Sequence, residues 1–129
     1  MSAKRYTFST DKRIRSRADF SAVFERGIKH SRGPLTAFAL PTDRPSSRLG
    51  LAVPRRVGTA PRRNRIKRLL RESFRLMQHD FARPYDLILL VRPHEPLAFC
   101  EYQRLLIALL SKLHSEWTKK PQIHADERG

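Results

Sequence analysis

A basic stretch, residues 62–75, constrains this chain of 129 residues more than any other feature. Drawn as a helix with about 100° per residue, it divides into two faces. The apolar side chains fall in one arc: Ile66, Leu69, Leu70, Phe74 and Met77. The opposite side is polar and cationic: Asn64, Lys67, Arg68, Arg71 and Arg75, with Arg65 at its edge. The fold must therefore cover one face of this helix and leave the other free.

The charges of this region are almost all of one sign. Residues 55–75 hold nine Lys or Arg and a single acid, Glu72. Four side chains stack at three- and four-residue spacing: Asn64, Arg68, Arg71 and Arg75. Cations at such spacing repel by about 0.2–0.5 kcal/mol per pair on an isolated helix. A helix face that is merely solvated usually mixes both signs, so this pattern favours a nucleic-acid-binding helix.

The net charge of +15 lies entirely in residues 1–75, because residues 76–129 carry equal numbers of acids and bases. This asymmetry predicts a polyanionic partner, with nucleic acid ahead of an anionic membrane surface. Cys100 is the only cysteine, so an internal disulfide is impossible, which suits a cytoplasmic protein. No apolar run approaches the roughly 18 residues of a membrane span, and no signal peptide is evident.

Hydrophobic periodicity predicts six elements in the order α-β-β-α-β-α. They are a helix over 16–27, strands over 35–40 and 48–54, the basic helix from Thr59 to about Asp80, a buried strand over 85–91, and a helix with an apolar stripe from Tyr102 to Trp117. We expect a small α+β domain arranged as a two-layer sandwich of one sheet and its helices. The predicted division is a flexible basic arm (1–15), one RNA-binding domain (16–120) and a disordered tail (121–129).

The sequence contains no active site that we can identify. The five His residues have no partners at metal-ligand spacing, and one cysteine cannot form a zinc site. No glycine-rich phosphate loop is present, and the scattered acids, Asp19 and Asp86 among them, are explained as caps, turns or surface charges. We therefore expect neither a catalytic residue nor a metal site on the protein, and assign any chemistry to a molecule that it binds.

Several segments resemble the bacterial ribonuclease P protein subunit. Arg63-Asn64-Arg65, followed by Ile66-Lys67-Arg68-Leu69-Leu70-Arg71, is similar to the "RNR" helix of that family. The preceding strand and basic turn, residues 48–53 and 55–60, resemble the segments that enter this helix. Residues 18–27 resemble the first helix of the family, and residues 86–90 the strand after the RNR helix. The resemblance covers roughly residues 10 to 118; the RNR string is specific, and the other segments alone are weak.

This resemblance implies a small mixed sheet with a left-handed β-α-β crossover at the RNR helix, against the usual right-handed preference. It also implies the function of a subunit that binds a large catalytic RNA and assists endonucleolytic removal of the 5′ leader from precursor tRNA. Hydrolysis would be carried out by Mg²⁺ bound mainly by the RNA. The implied partners are the catalytic RNA and precursor tRNA, with no DNA and no membrane.

The resemblance also implies roles for individual residues. The contacts to the catalytic RNA would come from the basic turn and helix: Arg55, Arg56, Arg63, Asn64, Arg65, Lys67, Arg68 and Arg71, with Arg75 completing the stacked cations. A cleft for the leader would be lined by Phe20, Phe24 and Phe38, with Gly50 and Ala52 leaving room beside them. Because rings in an open cleft tolerate alanine better than core rings, we expect at least one of the three, and first of all Phe20 or Phe38, to tolerate alanine.

Three other classes remain open at this point. A basic structural protein of the ribosome fits the composition and the layout equally well. Only the RNR string and the three Phe residues favour the ribonuclease P protein subunit over it. A DNA-binding regulator would need a helix-turn-helix or a dimer seam, and neither is visible. A stand-alone nuclease would need catalytic residues that the sequence does not offer.

Overall fold

The computed structural model describes residues 13–78 and 83–128, with side chains as far as Thr118. In these ranges the chain forms three α-helices and four strands. They are α1 (Arg17–Arg26), β1 (Ile28–Arg32), β2 (Leu35–Pro41), β3 (Arg48–Ala52), α2 (Ala60–Met77), β4 (Tyr85–Val91) and α3 (Phe99–Arg128). A 3-10 turn, Arg55–Val57, connects β3 to α2. The predicted α+β class is confirmed.

The strands form one mixed sheet in the order β1-β2-β4-β3. β2 is antiparallel to both β1 and β4, whereas β3 and β4 are parallel and are connected through α2. β4 has the predicted ends, and its central position agrees with its continuous apolar sequence. The left-handed crossover stays a prediction.

The strand β1 is missing from the predicted order, which is therefore wrong at this point. Its sequence, Ile-Lys-His-Ser-Arg, is mostly exposed at the edge of the sheet and shows no apolar alternation. Pairing with β2, from Ile28 opposite Ala39 to Arg32 opposite Leu35, holds it in place. The turn between the strands depends on Gly33, whose φ of 57° lies in the left-handed region.

Helices cover both faces of the sheet, which differs from the predicted two layers. Residues of α2 and α3, such as Phe74 and Leu106, pack with Leu87 and Leu89 of β4 in the main core. A second cluster on the opposite face joins Val23 of α1 to Ile14 and Ile88, with Phe20, Phe38 and Leu40 packed against it. The reason is that β4 carries apolar side chains on both faces, so each face needs a cover.

The helix starts agree with the sequence pattern. Ser16 caps α1 by accepting a hydrogen bond from the Asp19 backbone N–H at 2.9 Å. Thr59 caps α2 in the same way, accepting from the Arg62 backbone N–H at 3.4 Å, and Pro61 lies in the first turn, where no N–H is needed. These caps fix the direction in which α2 leaves the basic turn.

Part of the predicted flexible arm belongs to the sheet. Arg13 forms a parallel bridge with Leu49 of β3, and the N–H of the buried Ile14 donates to the Leu49 carbonyl at 3.0 Å. Residues 1–12, the predicted end of α2 near Asp80 and the side chains from Lys119 onward lie outside the described residues. The helix α3 continues through residues 121–128, where a disordered tail was predicted. The rest of the predicted division into arm and domain stays a prediction.

Candidate nucleic-acid interface

The helix α2 packs its apolar arc on the sheet and directs its cations outward. Ile66, Leu70 and Phe74 are fully buried, and Met77 is nearly so. The opposite side defines what we call the basic face: Asn64, Arg65, Lys67, Arg68 and Arg71, of which the first two and Arg68 are exposed and the others half-buried. The two faces inferred from the sequence are therefore present on the folded helix.

The basic turn before α2 adds further cations to the N-terminal end of this face. Arg55 and Arg56 are exposed in the 3-10 turn, which the buried side chain of Val57 anchors in the core. Arg63 is half-buried, and its Nε donates to the Gly58 carbonyl at 3.1 Å. That hydrogen bond fixes the Arg63 guanidinium against the turn, so these three arginines lie at one end of the helix.

Arg71 is affected by a cation from outside the helix. Partial burial, followed by the positive charge of Arg13, lowers the pKa of Arg71. Arg13 belongs to the segment that pairs with β3, so the positive potential continues from α2 around the β3 edge of the sheet. This contribution could not be found from helical spacing, because Arg13 and Arg71 are far apart in sequence.

Arg75 differs from the other cations that the sequence pattern grouped with it. Its guanidinium forms a two-point ion pair with Glu72, in which Nε donates to Oε1 at 3.2 Å and Nη2 donates to Oε2. The hydrogen bonds from Arg75 lower the pKa of Glu72. Because this carboxylate neutralises it, Arg75 contributes less to the field of the basic face than Arg68 does.

The three phenylalanines lie together on the opposite face of the sheet. The rings of Phe24 and Phe38 meet edge to face with centroids 4.8 Å apart, and those of Phe20 and Phe24 are 6.3 Å apart. Phe24 is 40% exposed, whereas Phe20 and Phe38 are half-buried. Lys29 Nζ lies 5.9 Å from the centroid of the Phe38 ring. We call this group the aromatic cleft; it offers open ring surface next to a cation, which suits an unpaired nucleotide.

Gly50 does not leave room for a ligand, contrary to the expectation from the sequence. Its backbone is covered by Phe20, since a Cβ at this position would lie 2.8 Å from Cζ of that ring. The close approach that an interior strand glycine indicates is thus made by the protein's own side chain. Gly50 therefore positions one wall of the aromatic cleft and does not line it.

Sequence analysis missed the buried cation that connects α1 to the sheet. Arg48 is only 6% exposed, and its Nε and Nη2 donate to the two carboxylate oxygens of Asp86 at 2.9 and 2.7 Å. Nη1 also donates to Asp19 at 3.3 Å. The hydrogen bond with Asp86 raises the pKa of Arg48 despite its burial. Arg48 and Asp86 are 38 residues apart, so no local pattern could have paired them.

The predicted site residues therefore form two groups and not one. The basic face lies with α2 on one side of the sheet, and the aromatic cleft lies with α1 on the other. The two sides meet at the β3 edge, along which residues 13 and 14 run. In the described part of the chain, no three His, Cys, Asp or Glu side chains come together as a metal-binding group. No helix among the described residues is long and apolar enough to span a membrane.

Comparison with known proteins gives a consistent result. The family model described as Ribonuclease P matches residues 8–114. A ribonuclease P protein component from Desulfovibrio desulfuricans is 38% identical over 112 residues, which cover 85% of this chain and 86% of that protein.

Solved structures agree with the sequence comparisons. The RNase P protein from Thermotoga maritima superposes with a TM-score of 0.70 at 30% identity, covering 78% of this chain and 96% of its own. An RNase P protein from Staphylococcus aureus superposes with a TM-score of 0.67 at 27% identity, covering 78% of this chain and 93% of its own. Since sequence and fold agree over most of its length, the chain belongs to the ribonuclease P protein family.

Proposed function

We propose that the basic face binds the catalytic RNA of ribonuclease P and that the aromatic cleft holds the 5′ leader of precursor tRNA. The protein is a component of the ribonuclease P holoenzyme, an endoribonuclease of tRNA processing. In this proposal the bond to the leader is hydrolysed by the RNA, and the protein increases affinity for the substrate. The same proposal places the protein in the cytoplasm, where the holoenzyme and its substrate would meet.

The observation that carries this proposal is the one-sign charge of α2 and its entry turn. Exposed guanidiniums at Arg55, Arg56, Arg65 and Arg68 surround a helix whose single acid, Glu72, is already paired with Arg75. Each phosphate that such cations neutralise releases condensed counterions, which favours binding at moderate salt. The neighbouring cations that destabilise the free helix would then each stabilise the complex.

The leader assignment depends on the exposed ring surface of the aromatic cleft. A single-stranded leader can stack its bases on aromatic rings, whereas the stacked bases of a duplex cannot reach them. The ring of Phe24 is the most exposed of the three, and Lys29 next to Phe38 supplies a cation for the backbone. The two-sided arrangement would allow one protein to contact the catalytic RNA and the substrate at the same time.

Magnesium would be held mainly by the RNA. Two of the carboxylates on the α1 side of the sheet, Asp19 and Asp86, accept hydrogen bonds from Arg48, and Glu72 on α2 accepts from Arg75. Each of these three carboxylates is already paired with a guanidinium, which makes it a poorer ligand for Mg²⁺ than a free carboxylate. We therefore assign no Mg²⁺ ligand to these side chains.

The test compares cleavage of precursor tRNA by the protein alone, by the catalytic RNA alone and by both together at low Mg²⁺. We expect cleavage only with both, because the protein's cations would replace part of the Mg²⁺ that screens the RNA phosphates. Robust cleavage by the RNA-free protein, abolished by a single side-chain change, would contradict the proposal.

A further inference from the structure

A groove separate from both groups lies between the β1–β2 turn and the first turns of α3. It has a volume of about 480 Å³. Its lining residues are Arg32, Pro34, Leu97, Arg104, Leu105 and Ala108, with Glu101 at one side. This volume is within the range of small-ligand sites, about 300–1,000 Å³, and is too small for a duplex. None of these residues belongs to the basic face or to the aromatic cleft.

The wall formed by the β1–β2 turn is fixed from two directions. Arg92 at the end of β4 donates its backbone N–H to the Pro34 carbonyl at 2.8 Å and its Nη2 to the Gly33 carbonyl at 2.6 Å. Leu105 of α3 approaches the same turn, since its Cδ2 would lie 3.5 Å from a Cβ at Gly33. The turn that lines the groove is thus in contact with both β4 and α3.

The groove has an apolar floor and a cationic rim. Pro34, Leu97 and Leu105 are half-buried, whereas Arg32 and Arg104 are exposed and pair with no acid among the described residues. Glu101 is the one carboxylate, and its Oε1 accepts a hydrogen bond from the Ala98 backbone N–H at 3.3 Å. With two guanidiniums and one carboxylate, the lining is net positive, so the groove favours a ligand with a flat apolar part and an anionic part.

The loop that contributes to the groove also contacts the start of α2. The loop between β4 and α3 contributes Leu97 to the lining, and two residues earlier Glu95 forms an ion pair with Arg62 at 3.5 Å. Arg62 lies in the first turn of α2, next to the arginines of the basic turn. An RNA strand that follows the basic face toward its N-terminal end would therefore reach the groove.

We propose that this groove binds one unpaired nucleotide of the catalytic RNA, with the base on Leu97 and Leu105 and the phosphate between Arg32 and Arg104. This inference rests on the proposed function, because it requires that the basic face binds that RNA. A nucleotide combines the flat apolar surface and the negative charge that the groove matches, and only an unpaired base fits a space of this size. The groove would add a base contact to the phosphate contacts of α2.

The experiment is chemical footprinting of the catalytic RNA in complex with the full-length protein. Ala108→Trp fills the groove without changing its charge, and Ser111→Trp places the same ring on an exposed position of α3 outside the groove. We expect one unpaired base that the unmodified protein protects to become reactive with Ala108→Trp only. The protections that depend on Arg68 should persist with both variants.

A second variant keeps the test valid if Ala108→Trp lowers the melting temperature. Arg104→Glu changes an exposed side chain and should weaken RNA binding about five- to tenfold, as expected when a phosphate contact is replaced by a repulsive charge. Lys112→Glu, also exposed on α3, is the matched control and should have a smaller effect. Fluorescence anisotropy with labelled catalytic RNA measures both.

Identical footprints for all variants, with equal effects of Arg104→Glu and Lys112→Glu, would overturn the groove assignment and leave the proposed function intact. After that result, a protein or a small molecule would be the remaining candidate ligand of the groove. A different result, in which Arg68→Ala causes no loss of RNA binding, would contradict the proposed function and with it this inference. The two failures are therefore distinguishable.

Discussion

The ring of Phe20 lies directly over the backbone of Gly50, where a Cβ would be only 2.8 Å from Cζ and 3.1 Å from Cε1. A residue of β3 that has no side chain thus determines the position of an aromatic ring on α1. The same contact closes the second core cluster, to which Ile14, Val23 and Ile88 contribute. The shape of the aromatic cleft depends on this glycine, although Gly50 itself is buried.

Gly50→Ala should move the Phe20 ring while leaving the sheet in place. Overpacking of this kind typically lowers the free energy of unfolding by about 1–3 kcal/mol. Replacing a glycine inside a strand by alanine offsets roughly 0.5–1 kcal/mol of that loss. We expect a small fall in the free energy of unfolding and a clear loss of affinity for leader-bearing precursor tRNA. The measurements are thermal melting and holoenzyme binding to leader-bearing and leaderless tRNA.

The control for this prediction is the double variant. If the effect of Gly50→Ala arises from contact with the ring, it should largely disappear in a Phe20→Ala background, which double-mutant analysis would detect as coupling. Additive effects on stability would show that the added Cβ disturbs the strand and not the ring.

Phe24→Ala separates a role in substrate binding from a role in the core. Phe24 is 40% exposed, so exposure favours this ring over Phe20 and Phe38 as the one that tolerates alanine. Its loss should cost well under the roughly 3–5 kcal/mol of a core Phe. It should also weaken binding of leader-bearing tRNA by about 1–3 kcal/mol per stacked base.

The control is mature tRNA, which lacks the leader and should bind the Phe24→Ala holoenzyme as before. Assembly with the catalytic RNA should also be unchanged, because the basic face lies across the sheet. If the affinity falls equally for tRNA with and without a leader, the aromatic cleft does not bind the leader.

The basic face can be tested one cation at a time. Arg68→Ala should weaken binding to the catalytic RNA by about 1 kcal/mol or more and reduce its salt dependence. Arg75→Ala should cost less, because Glu72 already neutralises that guanidinium, and Glu72→Gln should strengthen binding. Titrations at several salt concentrations measure these effects.

Lys112→Ala on α3 serves as the reference for diffuse charge. Lys112 is exposed and lies outside the basic face and the groove. A loss equal to that of Arg68→Ala would indicate that net charge, and not the arrangement on α2, determines RNA binding.

The sequence predicted those parts of the fold that have a local signal. The strand β4 has a continuous apolar run, and its predicted ends, Tyr85 and Val91, agree with the structure. The strand β1 has polar residues at a sheet edge, and only its pairing with β2 defines it. The sequence predicted two layers, whereas the structure has helices on both faces of the sheet. Leu87 and Ile88 point to opposite faces of β4, but the sequence alone does not show that α1 covers one face and α2 the other.

The same distinction applies to the candidate site. Helical spacing placed Arg68 and Arg71 on one face correctly, but the neutralisation of Arg75 depends on a rotamer of Glu72 that spacing does not specify. The alternatives of a ribosomal protein, a DNA-binding regulator and a stand-alone nuclease are set aside by the family assignment. Composition alone could not distinguish these classes, since a strongly basic composition is common among nucleic-acid-binding proteins.

The ion pair between Arg48 and Asp86 gives the strongest prediction for stability. Both side chains are nearly inaccessible, and Asp19 adds a third member from α1. Removing one partner of a buried pair leaves an uncompensated charge, so Asp86→Asn and Asp86→Ala should lower the free energy of unfolding by about 3–5 kcal/mol. Arg48→Met removes the guanidinium and leaves Asp86 buried, and should cost a similar amount.

The double variant Arg48→Met with Asp86→Leu distinguishes this cause from a simple loss of contacts. Without either charge no desolvated ion remains, so the double variant should be more stable than each single variant and close to the unmodified protein. Asp19→Asn should cost much less, because Asp19 is 38% exposed in its side chain and its backbone N–H keeps the cap with Ser16. Urea unfolding of these variants, together with the single variant Asp86→Leu that completes the cycle, measures the coupling. If the double variant is as unstable as the sum of its parts, Arg48 and Asp86 stabilise the fold through independent contacts and not through their ion pair.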